Sequence, residues 1–398
     1  MSDELRALFL RHVCQTSPTP LGITVVRAAG STLWDAAGRP WLDLLAGMGV
    51  ANVGHTHPEV VAAVRAQAER HLHVMVYGEL VQEAQVRFAQ RLVGLLPPPL
   101  EVVYFTSSGT EAIEGALKTA RKHTGRPGLV AFEGGFHGDT LGALSLGGNP
   151  LYRAPFEPLL PGVTLLPFDD ARALRAIDER TAAVVVEPVQ AEGGVRIPSP
   201  AFLPTLRRRC DETGALLVLD EVVTGFGRTG RLFAHEHWHV VPDLLVLAKA
   251  LGGGLPLGAF VGSRGVMDTL GHDPPLAHVT TFGGHPLSCA AGLAALEVLL
   301  REDLPHRAAG LGADLLARLG GLVGRGGLLA VRGLGLLLGL EFAAATDSSR
   351  FVGRALERGL VLNWTLHRDT VVRLAPPLVL EDAELEDAVR RIIAALAN

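Results

Sequence analysis

The hydrophobic pattern alternates between two kinds of segment through the middle of the chain. Over residues 47–290, apolar runs of four to seven residues alternate with amphipathic stretches of helical period. Short, nearly continuous apolar runs are typical of strands buried on both faces, so the pattern predicts an α/β fold with a mostly parallel sheet. In such a sheet, ligands bind at the carboxyl ends of the strands. The predicted strands are 102–105, 128–132, 163–167, 182–186, 215–219 and 244–247.

The flanking parts of the chain carry different patterns. Residues 24–45 alternate in short segments broken by glycine- and proline-containing turns, which predicts a small antiparallel sheet. Beyond His285-Pro286, the pattern predicts a long helix followed by a second strand and helix region. That region includes VRGLGLLLGLEF and a closing helix over 385–396. We therefore predict an N-terminal segment that packs with a small domain (1–46), a large domain (47–290) and a smaller α/β domain (291–398).

Composition is that of a globular protein that acts on small molecules. Of 398 residues, 48% are hydrophobic and 19% are charged, which argues against a disordered chain. A formal net charge of −5 and the lack of a basic block argue against a nucleic-acid partner. The longest stretch without charged residues, 274–296, is broken by prolines and glycines, so no membrane span is expected. Cys14, Cys210 and Cys289 show no pairing pattern, and we expect a reducing, cytoplasmic location.

A single lysine stands out in the apolar stretch DLLVLAKALGGG. The chain has three lysines, Lys118, Lys122 and Lys249, among 36 basic residues, so arginine serves nearly everywhere else. A desolvated lysine amine can lose its proton and form a Schiff base, whereas arginine can do neither. Lys249 is therefore a candidate nucleophile. The alternative is a side chain whose stem lies on apolar surface while its ammonium stays in water.

A possible phosphate site follows the first strand of the central pattern. In YFTSSGTEA, residues 104–112, a strand runs into a turn of small residues and then into a helix. Backbone N–H groups, the hydroxyls of Ser107, Ser108 and Thr110, and the positive end of the helix dipole could bind a phosphate there. An ordinary helix N-cap is the alternative interpretation.

Carboxylates follow two of the later strands. In LLVLDEVVTGFGRTG, Asp220 and Glu221 end a strand, and adjacent strand residues point to opposite faces, so one of them can face a ligand. A metal ligand or a loop cap is equally compatible with such a residue. In AAVVVEPVQAEGGV, the same arrangement places Glu187 and then Glu192 after a strand.

Two further loops, taken together with the motifs above, indicate one kind of ligand. The loop GGFHGDTLG places Phe136 and His137 where a flat ring could cover a cofactor, and HVTTFGGHP offers two hydroxyls beside glycines. A phosphate cradle, an aromatic side chain, a strand-end carboxylate and a lone lysine are the groups needed to bind pyridoxal 5′-phosphate. In that cofactor, a carboxylate on the pyridinium nitrogen keeps the ring an electron sink.

The order of these motifs resembles that of class III, fold-type I pyridoxal-phosphate aminotransferases. This group contains acetylornithine, ornithine, 4-aminobutyrate and putrescine aminotransferases. The resemblance extends from about Leu21 to the C-terminus and implies an α/β transferase whose large domain holds the cofactor. It rests on SSGTEA, FHG, EPVQAEGG, LDEVVTGFGRTG, PDLLVLAKALGGGLPLGA, TTFGGHP and VVRLAPPL.

The resemblance implies a role for each matched residue. Lys249 would hold the cofactor and then carry the proton between substrate and cofactor, and Asp220 would pair with the pyridinium nitrogen. Phe136 would stack on the ring. Thr281 would reach the phosphate of the neighbouring subunit, which implies a homodimer with shared active sites. The implied cofactor-binding residues are Ser108, Gly109, Thr110, Phe136, His137, Asp220, Val222, Lys249 and Thr281, and no metal site is implied.

Two matched residues concern the substrate carboxylate. Arg373 would grip the α-carboxylate of glutamate or 2-oxoglutarate, a bidentate contact that suits the guanidinium group. Glu192 would pair with Arg373 when the amine donor has no carboxylate at that position. One pocket could then serve an amine donor in one half-reaction and a 2-oxo acid acceptor in the other. A structural ion pair at the surface is the alternative.

Departures from the family pattern bear on the donor. Asp139 stands where acetylornithine, ornithine and 4-aminobutyrate enzymes usually have an arginine, and Met48 stands where ornithine enzymes have a tyrosine. Val223 replaces a usual glutamine and His285 a usual asparagine. If Asp139 faces the pocket, a donor with a second positive charge is favoured, so we expect a diamine or another terminal amine. If Asp139 turns outward, acetylornithine or ornithine is the alternative donor.

Other classes of protein fit the sequence less well. A semialdehyde aminomutase would need no 2-oxoglutarate, and the presence of both Arg373 and Glu192 argues against it. A nucleotide-binding enzyme would be expected to carry G-x-G-x-x-G, which is absent. The cluster HEHWH at residues 235–239 could bind a metal, but its context favours a surface helix or loop.

Overall fold

The computed structural model describes residues 2–397, with side chains from residue 4 onward. The α-helices are α1 Ser2–His12, α2 Ala46–Gly49, α3 Pro58–Arg70, α4 Glu83–Val93, α5 Gly109–Thr124, α6 Leu141–Ser145, α7 Pro150–Arg153, α8 Phe202–Thr213, α9 Arg264–Met267, α10 Pro286–Arg301, α11 Leu304–Gly320, α12 Ala345–Glu357 and α13 Asp382–Leu396. Short 3-10 helices are Ala154–Phe156, Ala173–Ala176, Ala234–Trp238, Lys249–Gly252 and Asp268–Gly271.

The strands form three sheets in the described part of the chain. They are β1 Val25–Ala29, β2 Thr32–Asp35, β3 Pro40–Asp43, β4 Val102–Thr106, β5 Gly128–Phe132, β6 Val163–Leu166, β7 Thr181–Val186, β8 Leu216–Asp220, β9 Leu244–Leu247, β10 Gly258–Gly262, β11 Leu328–Leu334, β12 Leu337–Phe342, β13 Leu360–Val361, β14 Asn363–Thr365 and β15 Arg368–Leu374.

The largest sheet has seven strands in the order β4-β10-β9-β8-β7-β5-β6. β10 runs antiparallel to both of its neighbours, and the other neighbouring pairs are parallel. The predicted α/β fold with a mostly parallel sheet is therefore confirmed. Every residue of β7 and β9 is buried, as expected for strands covered on both faces.

Strand register sets the position of the functional residues. Asp220, the last residue of β8, pairs with Val246 of β9, so Lys249 follows only three residues later in the chain. α5 packs its apolar side on this sheet, and the five positions that the sequence marks as apolar are all buried: Ala112, Ile113, Ala116, Leu117 and Ala120. α5 ends at Gly125, which adopts the left-handed conformation common after helices.

The two smaller sheets involve both ends of the chain. β1, β2 and β3 form a sheet with β13, so the N-terminal strands pair with a segment more than three hundred residues later. The other sheet has the order β11-β12-β15-β14. VRGLGLLLGLEF forms a hairpin rather than one strand, because Gly335 turns the chain with φ +56°. A Cβ there would lie 2.4 Å from the Thr229 carbonyl carbon, so only glycine fits without a shift.

The predicted long helix is α10, which begins with Pro286 in its first turn and packs against α3 and α4. α1 precedes the first predicted sheet and was not predicted from the sequence pattern. Within residues 2–397, no helix combines the length and the apolar character needed to cross a membrane.

Candidate active site

The carboxyl ends of five strands of the large sheet, β4, β5, β7, β8 and β9, surround one cavity of about 450 Å³. Parallel strands bring their carboxyl ends to one edge, which places the groups that follow β7, β8 and β9 together. The antiparallel neighbour β10 pairs with β4 and thereby brings the start of α5 to the same place. The functional groups lining the cavity are Ser107, Ser108, Thr110, Phe136, His137, Glu187, Glu192, Asp220 and Lys249.

Lys249 is held by an unusual backbone conformation. It begins a one-turn 3-10 helix directly after β9 and has φ +49°, a left-handed value that costs a residue with a Cβ about 1–2 kcal/mol. Such strain persists where the surrounding structure enforces it, and it is common at functional sites. Burial lowers the pKa of the Lys249 ammonium, and the negative charge of Glu192 opposes this effect. The amine is therefore easier to deprotonate than an exposed lysine.

Asp220 forms a buried hydrogen-bonded pair with His137. The Oδ2 atom of Asp220 lies 2.7 Å from Nδ1 of His137, and both side chains are almost fully buried. The other carboxylate oxygen accepts a hydrogen bond from the main-chain N–H of Val222 at 3.0 Å. Burial opposes the charged form of His137, but the hydrogen bond and charge of Asp220 outweigh it and raise the pKa of His137. Asp220 therefore presents a buried carboxylate to the cavity that is hydrogen-bonded to His137 and to the main chain.

Glu221 has a structural role on the opposite face of the strand end. Its carboxylate accepts hydrogen bonds from the main-chain N–H groups of Ala234 and His235 and from the hydroxyl of Thr224. The His235 ring lies 2.9 Å away, and His235 is buried. The prediction of a surface segment for HEHWH is thus wrong for His235, because this carboxylate draws it inward. Among the described residues, no cluster of histidine, cysteine or acidic side chains is arranged to hold a metal.

Glu187 is a cavity residue to which the sequence assigned no role. It is 5% exposed, and its oxygens accept hydrogen bonds from the N–H groups of Phe136 at 3.0 Å and Ala191 at 3.2 Å. Burial raises the pKa of Glu187 to about 7, and Asp220 adds to the shift. Its position after β7 repeats the arrangement of Asp220 after β8, and that repetition was the signal available in the sequence.

The N-terminus of α5 opens into the cavity. The hydroxyl of Ser108 caps the helix by accepting a hydrogen bond from the N–H of Glu111 at 3.3 Å, so the N-cap interpretation is confirmed and the phosphate site stays a prediction. A Cβ on Gly109 would lie 3.1 Å from Val222, and one on Gly138 would lie 2.4 Å from Thr110. The backbone at these glycines therefore approaches its neighbours more closely than other residues allow.

Arg373 and Glu192 form a buried ion pair. Arg373 donates from Nη1 to Oε1 of Glu192, and the side chains are only 3% and 8% exposed. The pair is therefore not a surface ion pair. Burial opposes the charge of Glu192, yet the guanidinium outweighs it and lowers the pKa of that carboxyl. Nη2 of Arg373 also lies 3.4 Å from the sulfur of Met48.

Some predicted residues lie outside the cavity in the described chain. Thr281 is exposed and does not line it, and Asp139 is exposed at its edge, where its charge still acts on His367. Met48 is 42% exposed and touches the site only through Arg373. Of the two other departures from the family pattern, Val223 lines the cavity, whereas His285 lies outside it and stacks on His73.

These groups match the chemistry of a phosphorylated pyridine aldehyde. Lys249 offers a primary amine that is deprotonated more easily than usual, and Asp220 offers a buried carboxylate as a partner for a pyridinium nitrogen. The start of α5 offers N–H and hydroxyl donors for a phosphate, and Phe136 contributes an aromatic face to the lining.

Comparison with known proteins agrees with this chemistry. An acetylornithine aminotransferase of Methanosarcina acetivorans is 43% identical over 384 residues, covering 95% of this chain and 93% of its own. A putrescine aminotransferase of Pectobacterium atrosepticum is 44% identical over 369 residues, covering 89% of this chain and 78% of its own. The chain is thus similar to enzymes that are named for different amine donors.

Solved structures show the same fold. The ornithine aminotransferase of Toxoplasma gondii superposes with a TM-score of 0.93 at 34% identity, over 100% of this chain and 95% of that one. An (S)-enantioselective omega-transaminase from Thermomicrobium roseum gives 0.92 at 32% identity, over 100% and 98%. The family model described as aminotransferase class-III matches residues 13–396. With its lysine, carboxylate and helix N-terminus at one cavity, this chain is a class III aminotransferase of fold type I that depends on pyridoxal 5′-phosphate.

Proposed function

We propose that the enzyme transfers the terminal amino group of a diamine or other ω-amino donor to 2-oxoglutarate by a ping-pong mechanism. The observation that carries this proposal is the buried pair of Arg373 and Glu192, of which Glu192 lines the cavity together with Lys249. It is a carboxylate-binding site that is closed by a carboxylate of the protein itself. Such a site suits an enzyme that must accept substrates with and without a carboxylate in turn.

The side chains would divide the chemistry between them. The bound cofactor supplies an aldehyde to receive the amino group and a ring that accepts electrons from the substrate carbon. Lys249 would take the proton from the substrate carbon and carry it to the cofactor, because its lowered pKa makes the free amine available. Asp220, hydrogen-bonded to His137, would hold a proton on the pyridine nitrogen.

Arg373 would then distinguish the two half-reactions. When Glu192 moves aside, both nitrogen atoms at the end of the guanidinium can bind the carboxylate of 2-oxoglutarate. When the donor has no carboxylate there, Glu192 keeps the buried cation neutralised, which avoids the cost of an unpaired charge. The pairing of Arg373 with Glu192 in the free enzyme is consistent with a donor that has no carboxylate at that position.

The choice of donor rests on charge around the cavity. Within the lining, Glu192 is paired with Arg373, Asp220 lies against His137, and burial raises the pKa of Glu187 to about 7, so the charges of these carboxylates are largely compensated. Asp139 adds a negative charge at the edge. A donor with a second ammonium group is attracted by this charge, and one with a distal carboxylate is repelled. The putrescine aminotransferase at 44% identity supports this donor class.

Acetylornithine or ornithine remains the second candidate donor. It is supported by the acetylornithine aminotransferases at 43% and 44% identity and by the ornithine aminotransferase structure. In that case the exposed Asp139 would point away from the substrate, and other residues would bind the donor.

The proposal includes a homodimer in the cytoplasm. Exposed Thr281 is available to complete the phosphate site of a second subunit. α1 also exposes apolar side chains, including Leu5, Leu8 and Leu10, which a second copy could cover. The three cysteines are unpaired, which agrees with a reducing compartment.

The proposal also divides the chain into an N-terminal segment (1–46), a large domain (47–290) and a small domain (291–398).

A single-turnover experiment tests the donor. The purified, cofactor-loaded enzyme is mixed without acceptor with putrescine, cadaverine, ornithine, N-acetylornithine or 4-aminobutyrate, and the visible absorbance of the lysine-bound cofactor is followed. Faster loss with the diamines supports the proposal, and faster loss with N-acetylornithine supports the second candidate. Asp139→Arg should shift the preference toward donors with a carboxylate, and an unchanged preference would mean that Asp139 does not sense the donor.

A further inference from the structure

The turn between β14 and β15 reaches from the small sheet to the edge of the cavity. Leu366 and His367 form this two-residue turn, which we call the hairpin tip. The main-chain N–H of Leu366 donates to Oε2 of Glu192 at 2.8 Å, and the N–H of His367 donates to the carbonyl of Glu192 at 3.0 Å. The carboxylate of Glu192 is therefore held from one side by Arg373 and from the other by the hairpin tip.

Contacts from α7 and from the loop after β5 hold the hairpin tip in place. The hydroxyl of Tyr152 donates to the carbonyl of Leu366 at 2.8 Å, and its ring stacks on His367 with centroids 5.3 Å apart. Nδ1 of His367 lies 3.3 Å from the carbonyl of Gly134, so this nitrogen carries a hydrogen, since a carbonyl can only accept. The His367 ring also meets the ring of Phe136 edge-on at 5.7 Å.

We propose that the hairpin tip, anchored by Tyr152, is a specificity-determining element that sets how readily Glu192 leaves Arg373. The inference rests on the proposed function, in which Arg373 binds the acceptor carboxylate. That carboxylate can reach Arg373 only after Glu192 has moved, and the movement breaks the hydrogen bond from Leu366. A firmly held tip thus favours donors without a carboxylate, whereas a looser tip favours the dicarboxylic acceptor.

The direction of the KM changes distinguishes a loosened hairpin tip from general damage to the active site. A disrupted active site binds all substrates more weakly, so the KM values for donor and acceptor rise together. Loosening the hairpin tip instead makes Glu192 easier to displace. The KM for 2-oxoglutarate should fall while the KM for the amine donor does not.

Tyr152→Phe is the sharpest variant, because it keeps the ring that stacks on His367 and removes only the hydroxyl. We expect the ratio of donor KM to 2-oxoglutarate KM to rise about fivefold, the change that corresponds to one hydrogen bond of ~1 kcal/mol. His367→Asn should act in the same direction, because it removes the ring contacts with Tyr152 and Phe136 while an amide can still donate to Gly134. The dissociation constant of glutarate, a dicarboxylate that cannot react, should fall about fivefold in parallel when measured by calorimetry on the cofactor-loaded enzyme.

Ser348→Ala is the matched control. The Ser348 hydroxyl donates to the carbonyl of Asp369 at 2.6 Å, in the same strand as Arg373 but away from Glu192. We expect this variant to lose stability without a change in the KM ratio. The proposal is overturned if Tyr152→Phe leaves the ratio unchanged, raises both KM values together, or shifts the ratio no more than Ser348→Ala does. If the unsubstituted enzyme itself neither uses 2-oxoglutarate nor binds glutarate, the proposed function fails first, and the inference fails with it.

Discussion

Replacing Arg228 with methionine should destabilise the protein strongly, because this guanidinium joins three distant parts of the chain. It is fully buried and donates to the carbonyls of Leu336 at 3.0 Å and Pro376 at 2.5 Å, and to the side-chain oxygen of Asn52 at 2.5 Å. Asn52 in turn donates to the carbonyl of Phe226 at 2.7 Å. The turn after β8 thus meets three other parts of the chain at one side chain: the segment after α2, the turn between β11 and β12, and the chain just after β15.

The magnitude follows from the acceptors that the substitution would leave behind. Three buried oxygen atoms would lose their donor, and each unsatisfied group costs about 1–3 kcal/mol. Removing the buried charge offsets part of this destabilisation, because burial disfavours the charged form of Arg228 and lowers its pKa to about 9. We expect a net loss of about 3–5 kcal/mol in the free energy of unfolding, similar to the loss when one partner of a buried ionic contact is removed.

Chemical denaturation of the cofactor-free protein measures this loss. Arg209→Met is the matched control, because Arg209 also donates to carbonyls, those of Ile177 and Arg175, but its side chain is 31% exposed and water can replace it. The control should cost less than ~1 kcal/mol. A loss at Arg228 no larger than the loss at Arg209 would refute the argument that the buried contacts stabilise the junction.

The remaining predictions concern the cavity. Lys249→Ala should abolish turnover, and borohydride should no longer fix the cofactor to the chain; turnover in this variant would remove the lysine from its role. Asp220→Asn should leave the cofactor bound but slow substrate proton removal by about 10²-fold or more, measured in single turnovers, and an unchanged rate would place the pyridinium partner elsewhere. Glu187 has its pKa raised from 4.5 to about 7 by burial, so the folded state binds its proton more tightly than the unfolded state does. The resulting stability is present below pH 4.5 and is lost as the pH rises through about 7. Relative to Glu187→Gln, the cofactor-free protein should therefore lose about 3 kcal/mol of unfolding free energy over this range, and parallel pH profiles of the two proteins would contradict the shift.

Local pattern predicted most of the large sheet. The strands predicted at 128–132 and 244–247 match the observed bounds, and the others agree within one residue at each end. Continuous apolar runs identify buried strands because a strand covered on both faces has no solvent side. The pattern placed VRGLGLLLGLEF in a strand and helix region but did not separate the two strands that it contains. A turn that depends on a single glycine interrupts the pairing without interrupting the hydrophobicity.

The chemistry at the strand ends was also readable from the sequence. Lys249 and Asp220 stand out because each charged residue lies at or just beyond the end of a buried strand, and parallel strands end at one edge. The contacts between the other site residues were harder to predict from the sequence. The pairing of Glu192 with Arg373 came only from family resemblance, and the resemblance did not indicate that Leu366 shares the same carboxylate.

The sequence by itself determined the fold class, the cofactor chemistry and the residues that follow the central strands, because these depend on short-range patterns of burial and residue type. Only the tertiary structure decided which distant groups meet. Arg228 contacts Asn52 across 176 positions, and Arg373 contacts Glu192 across 181. No periodicity spans such separations, since the contacts arise from how whole sheets pack. The charge of each buried group, and with it the specificity of the site, is set by those contacts.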